Sequence, residues 1–158
     1  MTQSPNPKEL TGWKPYDLDY YAQNIVLKHR DKKNVLNESH KMRMAVAYGL
    51  ERFWGEHLRL QRESQDKSQY WKDVWDKLAD ILKQAELELP NDSVISNLPN
   101  RTPDEKRRKA EDETQKIKKM AEKIWSMPLA EQRIALMVLT QFCDALVWWT
   151  QRHKQTEN

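Results

Sequence analysis

Six cations fall within sixteen residues: Lys28, Arg30, Lys32, Lys33, Lys41 and Arg43, with only Asp31 and Glu38 against them. A second run follows at Arg101, Lys106, Arg107, Arg108, Lys109, Lys116, Lys118 and Lys119. Lysine and arginine at this density suit contact with a polyanion, where each cation displaces a counterion from a phosphate. Such contacts position a strand without reading its bases. The segment 28–43 is the less compensated of the two. Residues 106–109 precede Glu111, Asp112 and Glu113, which are placed to pair at helical spacing. The residues expected to touch nucleic acid are therefore Lys28, Arg30, Lys32, Lys33, Lys41, Arg43, Arg107 and Arg108.

No other chemistry is written in the chain. It has no G-x-S-x-G, no Walker loop, no H-E-x-x-H and no C-x-x-C. The histidines His29, His40, His57 and His153 lack ligand spacing, so neither a metal nor a cofactor is expected. His57 falls on an apolar stripe and reads as a hydrogen-bonded core residue. Cys143, the single cysteine, lies among Phe142, Ala145 and Leu146 and reads as a buried, inert thiol. The expectation is a protein that is not an enzyme.

The elements that must carry these residues are helices. Three glycines in 158 residues leave little room for tight hairpins, and no stretch shows strand alternation. We expect an all-α fold, a bundle of about five helices without a sheet. Residues 1–15, with Pro5, Pro7 and Pro15, read as a flexible arm. Residues 16–154 read as one bundle, with an internal loop at 89–102 as a flexible connector, and 155–158 as a tail.

Helices are expected over 18–29, 38–62, 68–86, 103–125 and 129–153. The second would be continuous, with Gly49 inside it as a small residue permitting close approach. Thr102-Pro103-Asp104-Glu105 is a helix start: a hydroxyl cap, proline at the first position and acids in the first turn. The last helix is apolar nearly all round from Ile134 to Leu139 and should be central. Trp54, Trp71, Trp75 and Trp125 lie on inward stripes. Trp148 and Trp149 cannot both point inward, and Trp13 belongs to the arm.

Charge is unevenly spread. Residues 63–100 carry net −4, residues 1–62 net +4 and residues 101–158 net +3. The longest apolar run is far too short to span a bilayer, and the start of the chain lacks the apolar core of a signal peptide. A soluble, cytoplasmic protein with no membrane partner is expected.

A basic, all-helical chain of this length without catalytic motifs resembles the small subunits of CRISPR effector complexes. The likeness rests on the segment 28–43 feeding the helix through Trp54, and on the terminal helix from Arg133 through Trp148-Trp149 to Arg152. It covers the architecture of residues 16–154. The acidic third helix departs from a uniformly basic bundle. The resemblance implies a ribonucleoprotein subunit in antiviral defence. Its partners would be RNA or single-stranded DNA and other subunits, including copies of itself. The alternative from the charge pattern is a protein–protein adaptor with complementary acidic and basic faces.

Overall fold

The computed structural model describes residues 15–154, which form six α-helices, one 3₁₀ turn and no strand. The arm with Trp13 and the tail 155–158 lie outside the described residues. Helix α1, Pro15–His29, starts three residues earlier than the apolar pattern implied. Proline is suited to the first helical position because its φ is preset and its missing N–H would have no partner there. Leu18, Ala22, Ile25, Val26 and His29 recur every three or four residues, and all are buried.

The chain then turns through Asn34, whose φ of 62° is tolerated by asparagine better than by most residues. Buried Val35 and Leu36 seal this turn from beneath. The long second helix expected over 38–62 is in fact two. Helix α2, Glu38–Ala45, tightens into the 3₁₀ turn Val46–Tyr48, and α3 runs Leu50–Leu60. Gly49 separates them with φ 97° and ψ 172°, a region almost closed to residues with a Cβ. A Cβ there would meet nothing within 4 Å. Backbone conformation, and not close approach, is thus the reason for glycine.

Helices α3 and α4 (Gln65–Gln84) form an antiparallel pair. Ser64 caps α4 by accepting from the Lys67 N–H at 3.3 Å. Phe53 packs against Trp71 and Trp75, with ring centroids 4.9 and 6.4 Å apart. Each buried indole must place its N–H. Trp71 donates to Glu38 Oε1 at 3.0 Å and Trp75 to the Pro90 carbonyl at 3.1 Å.

That second bond involves the segment expected to be a flexible connector. Leu89, Val94 and Ser96 of this stretch are buried, as is Leu87 just before it, and Asn91 donates to Asp76 at 2.9 Å. Helix α5, Pro103–Trp125, begins where expected, with Thr102 accepting from the Glu105 N–H at 3.1 Å. Its first turns stand clear of the core, and Met120, Ala121 and Ile124 are its buried residues. Among the described helices it packs only against α3.

Helix α6, Leu129–His153, is the centre of the bundle and touches α1, α2, α3 and α4. Ala135, Val138, Leu139, Phe142, Cys143 and Leu146 are buried. Ile134 and Met137 point outward, so its apolar run is not buried all round. Trp125 is also a correction: at 65% exposed it leaves the core that Trp54, Trp71 and Trp75 fill. It follows buried Ile124 by one residue, about 100° round the helix, and so lies off the face of α5 that meets the bundle.

Gly49→Ala should lower stability by about 1–3 kcal/mol through backbone strain alone. Trp75→Ala should lower it by about 3–5 kcal/mol through loss of a filled core. Urea denaturation of each variant checks both values.

Candidate nucleic-acid interface

The first basic cluster is carried by the end of α1, the turn 30–37 and the whole of α2. Its members have different surroundings. Lys28 donates to Asp73 of α4 at 2.8 Å. His29, fully buried one residue on, shares the same oxygen at 2.7 Å, while Gln69 donates to the other at 2.7 Å. Burial by itself would raise the Asp73 carboxyl. The hydrogen bonds from His29, Lys28 and Gln69 together outweigh it and hold the group well below the usual carboxylate range.

Asp76 and Asp80 share a surface hollow with Lys28 and Asp73, so a strand approaching Lys28 meets acids as well. Arg43 of α2 is drawn the other way, its Nε lying 2.6 Å from Asp144 of α6. Lys41 stands 3.2 Å from the buried Glu38 Oε2, a charge contact without hydrogen-bond geometry. Arg30 is half-buried, and its Nε is enclosed without an acceptor.

Lys32 and Lys33 are the cations the turn leaves free. Neither has a carboxylate within 4 Å among the described residues. On α5, Arg107 pairs with Asp104 at 3.3 Å and Lys116 with Asp112 at 3.6 Å. Of residues 106–109 only Arg107 has an ion pair among the described residues, and its partner is Asp104 in place of the expected Glu111, Asp112 or Glu113. Arg108 is exposed and has no ion pair among the described residues. Among the described helices α5 meets α3 and neither α1 nor α2, so the helices that carry the two clusters do not pack together.

One feature of this surface lies outside the basic runs. An open groove of about 460 Å³ follows α2, the 3₁₀ turn and α3. Met44, Ala45, Tyr48 and Trp71 line it, with His40, Lys41, Arg52 and Glu56 at its edges. Met44 and Tyr48 are 73% and 68% exposed, and the Arg52 guanidinium lies 5.6 Å from the Tyr48 ring centroid. Their signal in the sequence is the Met44-Tyr48-Arg52 spacing of four, which sits off the inward stripe.

His57, Cys143 and Tyr70 are committed to packing. His57 donates from Nδ1 to the Trp54 carbonyl, and burial holds its pKa below the ordinary value. Cys143 is enclosed, and burial pushes its thiol far up. The Tyr70 hydroxyl joins Ser39 at 2.5 Å, and Thr150 lies 2.7 Å from the same Ser39 oxygen. Burial pushes that hydroxyl up to about 12. Among the described residues no group of His, Cys, Asp and Glu could hold a metal ion. Among the described residues no helix is long and apolar enough to cross a membrane.

No family model matches the chain, and no curated protein and no solved structure matches it.

The Asp73 pair gives a pH dependence with a definite sign. A carboxyl held below its unfolded value contributes stability that is full above about pH 4–5 and lost as pH falls below that. Asp73→Asn should flatten the acid limb of the stability curve below about pH 4 and lower stability at neutral pH by ~1–3 kcal/mol. Urea midpoints measured across the acid range test this.

Proposed function

We propose that this chain is a non-enzymatic nucleic-acid-binding subunit of a nucleoprotein complex. It grips the backbone of RNA or single-stranded DNA by charge. The observation that carries the reading is the pair Lys32 and Lys33, held without carboxylate partners on a turn sealed by buried Val35 and Leu36. Lysines on a fixed turn keep their charge available to phosphate, and Arg108 offers a further unpaired cation on α5. Arg107 adds to it through a surface pair with Asp104, which is weak enough to exchange for phosphate.

Lys28, Lys41 and Arg43 are secondary in this reading. Each already shares its charge with a carboxylate, so only part is left to the ligand. The architecture-level likeness to CRISPR small subunits agrees with such a role. Its support is the basic segment 28–43 and the terminal helix.

A second reading, a protein–protein adaptor, is favoured by one observation. Leu129, Ile134, Met137 and Trp148 are all exposed on α6, and Ile134, Met137 and Trp148 share its outer side with Gln141 and Asp144. The two readings differ in salt dependence. Phosphate contacts make log K fall steeply with log salt, whereas apolar docking does not.

Replacing Lys32, Lys33 and Arg108 with alanine should weaken binding to unstructured RNA and DNA by similar factors whatever the sequence. The salt slope should become shallower by about 0.7 per contact removed. Lys28→Ala and Arg43→Ala should change it less. Fluorescence-anisotropy titrations at several salt concentrations measure both. Wild-type binding by the triple variant would leave the adaptor reading in place.

A further inference from the structure

We propose that the groove along α2, the 3₁₀ turn and α3 is a stacking site for one unpaired nucleobase of a bound single strand, with Tyr48 as its platform and Arg52 beside it. The inference rests on the backbone-binding reading above and adds to it a preference for single strands with accessible bases.

Two properties of the groove select this occupant. The first is shape. Tyr48 is exposed and flanked by Met44, so a flat apolar face opens to solvent where most proteins would turn it inward. A guanidinium plane lies against that ring. Aromatic faces and arginine planes are the two surfaces on which proteins stack unpaired bases.

The second property is charge. Glu56 at the groove edge is taken up by Arg59 at 2.9 Å, and Glu38 beneath it by Trp71 and Lys41. Arg52 and His40 have no carboxylate within 4 Å among the described residues. The uncommitted charge of the groove is therefore positive, complementary to an anion. A ligand that is both planar and anionic meets both properties, and a nucleotide with an unpaired base is that ligand. The cavity volume lies in the range of sites that enclose small ligands.

Gly49 places the site. Its positive φ ends the 3₁₀ turn immediately after Tyr48 and restarts the helix, so Tyr48 and Arg52 sit on either side of the break. In an uninterrupted helix the pair would lie one above the other in a single row.

The test compares oligouridylate with an abasic sugar-phosphate strand of the same length, titrated by anisotropy against the full chain. Wild type should bind the base-bearing strand about tenfold more tightly. Tyr48→Ala should erase that preference and leave the abasic affinity unchanged, and Tyr48→Phe should retain it. Arg52→Ala should reduce the preference and also lower the abasic affinity slightly. The Lys32→Ala/Lys33→Ala variant should weaken both strands equally and preserve the ratio.

Because Tyr48 is exposed, the variant should melt as wild type, checked by circular dichroism. A wild-type preference surviving in Tyr48→Ala, or no preference in wild type, overturns the stacking site while the backbone reading stands. Failure of wild type to bind either strand removes the backbone reading and this site with it. Binding of an acidic, aromatic peptide that Tyr48→Ala abolishes, with no strand bound, assigns the groove to a protein and overturns the proposal.

Discussion

Two indole N–H groups in a dry core set the terms for much of this structure. Trp71 and Trp75 are buried against Phe53, and a buried donor left without an acceptor costs about 1–3 kcal/mol. Trp71 takes a carboxylate oxygen of Glu38, the first residue of α2, and Trp75 takes the carbonyl of Pro90. The first bond fixes where α2 starts against α4. The second draws the 85–102 segment onto the bundle. Polar bonds from the aromatic core thus add to the buried Met42 of α2 and the buried Leu87, Leu89 and Val94 of the segment in locating both elements.

The position of Glu38 has electrostatic consequences. A carboxylate in that environment needs a cation, and Lys41 supplies it from the next turn. Asp73 plays the same part at the end of α1, gathering Lys28 and His29, and Asp144 holds Arg43. Three pairs of this kind connect α1 to α4, α2 to itself and α2 to α6. They bind the bundle at its surface and draw half of the basic segment away from solvent partners. What stays available is the charge on the turn, where no helix approaches closely enough to offer a carboxylate. Half of the cluster is thus committed to pairs within the bundle.

The exposed apolar residues follow from the same economy. A chain with 38% hydrophobic residues fills its centre with tryptophan and with α6. Met44, Tyr48, Met137 and Trp148 are left at the surface in two groups, on the α2–α3 groove and on the outer side of α6. Apolar surface of this kind is retained where something is to be covered. The two groups lie on different elements.

Much of this was legible in the residues. The all-helical class follows from three glycines and from stripes spaced three and four apart. The start of α5 follows from Thr102-Pro103, and the span of α6 from Pro128 to His153. The burial of Trp71, Trp75, His57 and Cys143 follows from their stripes. These are local properties, decided by periodicity and caps that act within a few residues.

The pairings were not legible, because they join residues far apart in the chain. Asp73 reaches back to residues 28 and 29, Asp144 to residue 43, and Pro90 to Trp75. The break at Gly49 also escaped the pattern, since apolar spacing runs across it unaltered and only φ marks the change. Trp125 has the spacing of a core residue but lies one residue off the buried face of α5, beside Ile124. The sequence by itself determined which helices form and which faces are apolar. Tertiary structure alone decided which cations stay free, because a charge is free or paired according to what another helix brings within a few ångströms.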